Sequence, residues 1–177
     1  KSRLAEVVLE RTESMGAICL KGRASRFDRG IPYSLVNEFL QPLHIESELV
    51  TQSSRDLKTL LEKTSGITTK KSRAREPQDV LGLATSILRE LARLSPIVIS
   101  CDDIHLADAD SVALFAMLSR QLSHSRILFI ATLRNQAEYQ NQDIAHMIEQ
   151  FQSDDHNQVI DLHPLGKSEI RSMIKGM

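Results

Sequence analysis

A chain of 177 residues, 41% hydrophobic and 25% charged, has the length and residue usage of one ordinary globular domain. Its formal net charge of −1 gives no footprint for nucleic acid, which shows as a basic domain or a clustered Lys/Arg patch. No run approaches the roughly 18 apolar residues of a membrane span and no signal-peptide pattern opens the chain, so a cytoplasmic setting away from membranes is expected.

Taken in order, Ser2 to Ser14 reads as a helix with Leu4, Val7, Val8 and Leu9 on its apolar side, and Gly16 marks its end. Ala17 to Lys21 is a short strand. Gly22 to Pro32 reads as a loop rich in Gly, Ser, Arg and Asp. Tyr33 to Leu43 returns to helical spacing through Leu35, Val36, Phe39 and Leu40, broken by Pro42 and the polar residues near Ser47. Leu57, Leu60 and Leu61 suggest another short helix. Residues 64–77 lose apolar periodicity and carry Lys70, Lys71, Arg73 and Arg75 without interleaved aromatics, the pattern of a mobile, solvated loop. A helix starting at Asp79 presents Val80, Leu83, Ile87, Leu88, Leu91 and Leu94 as a wide apolar stripe.

The next segment carries the most chemistry. Ile97-Val98-Ile99-Ser100-Cys101 is a β-branched apolar run, the pattern of a strand buried on both faces in a parallel sheet, and it ends in Asp102-Asp103. In open α/β sheets ligands bind at the carboxyl edge of the strands, so an acidic pair there is what a Mg-nucleotide site needs, a Walker B-like signal. The plainer alternative is that the two aspartates end a strand and begin a turn, with Asp103 or Asp108 capping the next helix. That helix spans Ala109 to Leu122. Ile127 to Thr132 is another strand, Asn141 to Phe151 a helix, Val159 to Leu162 a strand, and Lys167 to Ile174 a last helix after Gly166. Strands separated by helical patterns imply right-handed parallel crossovers and a three-layer α/β fold.

Lys1-Ser2, running into the first helix, matches the last two positions of the phosphate-loop motif G-x-x-x-x-G-K-[ST]. Because the chain starts with Lys, the reading expects a fragment or processed product whose first strand and glycine loop lie upstream. Cys19 and Cys101 fall in apolar strand-like runs and read as buried thiols with no disulfide. The six histidines show no zinc spacing, and neither a G-x-S-x-G elbow nor a nucleophilic cysteine signature is present.

Together, Lys1-Ser2-Arg3-Leu4, Gly22-Arg23 with Ile31-Pro32-Tyr33, Asp102-Asp103-Ile104-His105-Leu106-Ala107-Asp108 and Thr132-Leu133-Arg134 resemble the AAA-type ATPase domains of the STAND group. Such domains occur in large ATP-binding LuxR-type regulators and multidomain kinase fusions. The family's third block commonly reads D-D-L-H-W-A-D, and Leu106 here replaces the Trp, costing an aromatic contact and not a metal ligand. The resemblance implies a partial P-loop NTPase domain over 1–177 with strand order 5-1-4-3-2, its central first strand upstream. Without that strand the sheet has two internal edges whose unpaired backbone groups cost about 1–3 kcal/mol each. Poor folding of the isolated fragment is therefore expected.

On this reading ATP and Mg²⁺ are the cofactors. Lys1 reaches the phosphates, while Ser2 and Asp102 serve the Mg²⁺. Asp103 lies nearer the attacking water. Arg134, after the fourth family strand, either senses the γ-phosphate or is a plain surface arginine. Asp108 is read as a helix N-cap before a polar group of the site mouth, Arg23 and Arg26 as solvated loop residues, and His105 as packed within the acidic turn. The leading expectation is a slowly hydrolysing, nucleotide-driven switch inside a larger signalling or transcription-regulatory protein. Its partners are ATP, other domains of the same polypeptide and a further copy by self-association, with no nucleic acid bound by this segment. The alternative is a non-catalytic interaction domain retaining the fold.

Overall fold

The computed structural model describes residues 1–28, 30–41, 77–134 and 157–167, together with Ala145, Glu149, Glu169 and Arg171. Three parallel strands form its sheet in the order β1-β2-β3: β1 (Ile18–Arg23), β2 (Ile97–Asp102) and β3 (Ile127–Ala131). This is the order expected for the second, third and fourth strands of the family sheet.

Among the described residues the sheet is covered by the helices α1 (Ser2–Ser14), α2 (Ser34–Leu40), α3 (Pro77–Leu94) and α4 (Ala109–Gln121). The side-chain alternation of β2 sorts them into layers. Ile97, Ile99 and Cys101 join Leu20 of β1 in one core cluster with Leu35, Val36 and Phe39 of α2, Val80, Ala84 and Leu88 of α3, and Phe115 and Leu118 of α4. Val98 and Ser100 point to the opposite face, where α1 buries Ala5 and Leu9. Helices thus cover both faces of a parallel sheet, which explains why β2 reads as a continuous apolar run with no polar alternation.

Local chemistry sets several boundaries. Gly16, at φ +86°, closes α1: its N–H donates to Glu13 O at 2.9 Å and the Ala17 N–H to Thr12 O at 3.0 Å, a Schellman closure that favours glycine. At Gly22 a Cβ would lie 2.9 Å from Leu35 Cδ1 and 3.1 Å from Leu35 O, so the missing side chain lets α2 settle against β1. This corrects the reading of Gly22 as the start of a loop: Gly22 and Arg23 complete β1, in register with Cys101 and Asp102. α2 begins one residue after Tyr33, and α3 begins at Pro77, two residues before Asp79. Pro is suited to a first helical turn because its missing N–H would have no helical partner there.

Residues 159–162 are not a strand. They pair with none of the three described strands, and Val159, Ile160 and Leu162 are exposed. Their β-branched composition favours an extended chain only where a neighbour supplies the ladder, and no described strand does so. Cys101 is buried as expected, whereas Cys19 is half-buried, with its Sγ 3.6 Å from Leu9 O. Both are free thiols. Ala145, Glu149, Lys167, Glu169 and Arg171 are helical, in agreement with the last two expected helices. The helix expected around Leu57 to Leu61, and the loop of 64–77 apart from Pro77, lie outside the described residues.

No described helix is long and apolar enough to cross a membrane.

Candidate functional site

The carboxyl ends of the three strands and the amino end of α1 meet at one edge of the sheet. The alternation that turns Ile97, Ile99 and Cys101 toward α2–α4 turns Asp102 toward α1. There its Oδ1 accepts a hydrogen bond from Ser2 Oγ at 2.9 Å, joining residues 100 positions apart in sequence. Thr132, one residue beyond β3, donates its hydroxyl to the same Oδ1. Thr132 Oγ1 also accepts the Asp103 N–H at 3.0 Å. The backbone locks this corner further: Thr132 N donates to Cys101 O at 2.9 Å, and Ile104 N to Thr132 O at 3.0 Å.

The second carboxylate oxygen faces β1. Arg23 is in register with Asp102, and its Nε lies 3.8 Å from Asp102 Oδ2. The Arg23 backbone N–H is held by Glu38 Oε2 of α2 at 2.8 Å, and the Ala24 N–H donates to Asp102 O at 2.9 Å. The sequence pattern puts Arg23 in a solvated loop and marks no role for the Thr132 hydroxyl or for Glu38; the structure brings all three to the acidic corner. For Thr132 a signal existed, because a hydroxyl just past an apolar strand is placed to reach the end of the neighbouring strand.

Lys1 sits immediately before α1, its carbonyl accepting the N–H groups of Leu4 and Ala5 at 3.0 and 3.1 Å. Its ammonium donates to Leu133 O at 2.8 Å, which brings the lysine to the end of β3. Arg134 follows Leu133 and is exposed, with no hydrogen bond or ion pair to a described residue. Proximity along the chain places it beside Lys1, but no contact ties it to the acidic pair.

Asp103 adopts a left-handed conformation, φ 53° and ψ 40°, which short polar residues tolerate better than most. The kink turns the chain from β2 into the helical turn Ile104–Leu106, and the Asp103 carbonyl accepts the Leu106 N–H at 2.8 Å. Asp102 and Asp103 keep 21% and 24% of their side chains exposed, so both carboxylates are accessible at the edge. His105 is largely buried, with Nδ1 3.9 Å from Asp103 Oδ1.

Asp108 has another surrounding. It is buried and caps α4: Oδ1 accepts the Ser111 N–H at 2.8 Å and the Tyr33 N–H at 3.0 Å, while Oδ2 accepts from Ser34 Oγ at 3.0 Å. One carboxylate thereby clamps the starts of α2 and α4, and it does not open onto the site mouth. Tyr33, in a left-handed conformation at φ 60°, is buried beside it, and burial pushes its phenol upward, helped by the charges of Asp110 and Asp108. Cys101, one residue before Asp102 and on the opposite face of the sheet, is also pushed strongly upward by burial and by the Glu38 charge, so its thiol is neutral at ordinary pH.

The donor set fits a hard cation. Ser2 Oγ and the Asp102 carboxylate are oxygen ligands already within hydrogen-bond distance of each other. Mg²⁺ characteristically takes one or two such protein oxygens and completes its octahedron with water and phosphate. Among the described residues, no group of three His, Cys, Asp or Glu side chains is placed to hold a metal.

A family model described as an AAA ATPase domain matches residues 1–130, spanning Lys1-Ser2, β1, the acidic block and nearly all of β3. This chain belongs to the AAA ATPase domain family, and its α/β fold with a parallel sheet is of the P-loop NTPase kind. Among curated proteins and solved structures there is no match.

Proposed function

We propose that this chain is the nucleotide-binding module of a STAND-type switch within a larger signalling or transcription-regulatory protein, hydrolysing ATP slowly with Mg²⁺. The observation that carries this reading is the Ser2–Asp102 hydrogen bond, because it brings the end of the phosphate-loop-like dipeptide onto the acidic strand end.

The division of labour follows from charge and position. Lys1, an ammonium at a helix start, holds phosphate oxygens together with the backbone N–H groups of the first turn of α1. Ser2 and Asp102 supply the oxygen pair for the cation, which when bound offsets charge developing on the transferred phosphoryl group. Thr132 fixes the rotamer of Asp102 and the backbone of Asp103 at once. Asp103, partly exposed at the edge, accepts a hydrogen bond from the attacking water and orients it. Arg134, exposed three residues beyond β3, reaches the terminal phosphate through its paired donors.

The test is Asp102→Ala in the full-length protein, with ATP affinity and turnover measured with and without Mg²⁺. The Mg-dependent part of binding is expected to disappear, and turnover to fall by about 10²–10³-fold, the scale of losing one electrostatic group aimed at the reacting phosphate. Affinity and turnover both equal to wild type would overturn the metal assignment and favour an interaction domain that merely keeps the fold.

A further inference from the structure

The two oxygens of Asp102 are used differently. Oδ1 takes both hydroxyl donors, Ser2 and Thr132, whereas Oδ2 faces the Arg23 guanidinium at 3.8 Å. The placement comes from the fold. Parallel register sets Arg23 opposite Asp102 at the ends of adjacent strands, and the same alternation turns both side chains toward α1. Glu38, the other carboxylate nearby, takes the Arg23 backbone N–H, which pins the strand end while the guanidinium extends to Asp102. The Arg23 side chain is 73% exposed, so it can swing away without breaking packing.

We propose that Arg23 is a built-in counter-ion of Asp102 that competes with a divalent cation for this carboxylate. The inference rests on the reading of Asp102 as the cation-facing acid. In the cation-free protein the guanidinium offsets the charge of the acidic strand end, since two adjacent carboxylates without a nearby positive charge repel. A divalent cation at Asp102 meets the Arg23 charge as a repulsion, so Arg23 sets the cation affinity of the edge by opposing it. As the guanidinium is displaced it becomes an unpaired, always-charged fork beside the phosphate-facing edge.

The test is Mn²⁺ titration of the nucleotide-free full-length protein, followed by the loss of the free-ion paramagnetic resonance signal. Arg23→Gln is expected to bind Mn²⁺ about fivefold more tightly than wild type, the size of a water-screened charge pair at this separation. Arg23→Lys, which keeps the charge, stays close to wild type, and the gain in Arg23→Gln shrinks at high salt because the pair is exposed. An Arg23→Gln affinity equal to or weaker than wild type overturns the proposal. Asp102→Asn separates the two levels. If it abolishes Mn²⁺ binding while Arg23→Gln is unchanged, the counter-ion role alone fails. If it binds Mn²⁺ like wild type, the reading of Asp102 fails, and the counter-ion role with it.

Discussion

Asp102 and Asp108 belong to one acidic block, yet the fold treats them in opposite ways. Asp102 stands at the open end of β2, its Oδ1 held by two hydroxyls and its Oδ2 facing a movable arginine. Asp108 is enclosed, with both oxygens committed to the starts of α2 and α4. The number of hydrogen bonds differs little; what differs is whether the donors can be exchanged. Backbone N–H groups of two helix starts cannot leave Asp108 without unfolding those turns. Ser2 and Arg23, both exposed, can rotate from Asp102 and let another ligand in, while the buried Thr132 keeps the carboxylate in place. A carboxylate held by replaceable partners at a sheet edge suits binding, and one held by helix termini suits architecture.

The largest way to break this comparison is Asp108→Ala. It removes the N-cap of α4, about 1 kcal/mol, and leaves the buried Tyr33 N–H without its acceptor, a further 1–3 kcal/mol or so. A loss of about 2–4 kcal/mol is expected in denaturant unfolding followed at this domain, with nucleotide affinity retained by the molecules that remain folded. A variant as stable as wild type would show that the clamp carries no weight.

Thr132→Val sharpens the other side. The change keeps the shape and removes the hydroxyl, costing Asp102 one donor and the Asp103 N–H its acceptor. Turnover should fall about tenfold, corresponding to about 1.4 kcal/mol, with a smaller effect on ATP affinity. Thr132→Ser should restore most of it. Equal activity in Thr132→Val would mean that the corner is set by the backbone bonds alone.

The smallest expected effect lies one residue before the acidic edge, on the core face of β2. Burial first, and the Glu38 charge second, raise the Cys101 thiol above its ordinary value of 9.0. The folded state therefore keeps this proton when the unfolded chain has lost it. The stability so contributed is complete below pH 9.0 and declines as pH rises above it. Unfolding midpoints from pH 8 to pH 10.5 should fall less steeply in Cys101→Ala than in wild type. Identical slopes would show that the thiol titrates freely, and that the core between β2 and α2–α4 is wetter than its packing implies.

Much of the described fold was legible because local and global signals agreed. The uninterrupted apolar run of β2 announced burial on both faces, Gly16 announced the end of α1, and Asp108 stood where an N-cap belongs. The meeting of Ser2 with Asp102 was legible only through two motif fragments, since nothing local links residues so distant. Other features depended on tertiary partners. Gly22 looked like a loop breaker, but its missing Cβ makes room for Leu35 and so continues the strand. Taken as a breaker, Gly22 puts Arg23 in a loop and hides its register with Asp102. Thr132 stands in a recognisable motif, but the role of its hydroxyl depends on how β3 aligns with β2, which the sequence does not show. Val159 to Leu162 carried strand-like composition without a described partner, and composition does not pair a strand.

The most direct measurement of the central contrast is Mg²⁺-dependent ATP affinity of Asp102→Asn and Asp108→Asn, side by side in the full-length protein. Asn can still accept the bonds from Ser2 and Thr132, and it is a good N-cap, so both variants should fold. The account predicts that Asp102→Asn loses the Mg²⁺-dependent part of its affinity while Asp108→Asn keeps it. Wild-type Mg²⁺ dependence in Asp102→Asn, or its loss in Asp108→Asn alone, would contradict it.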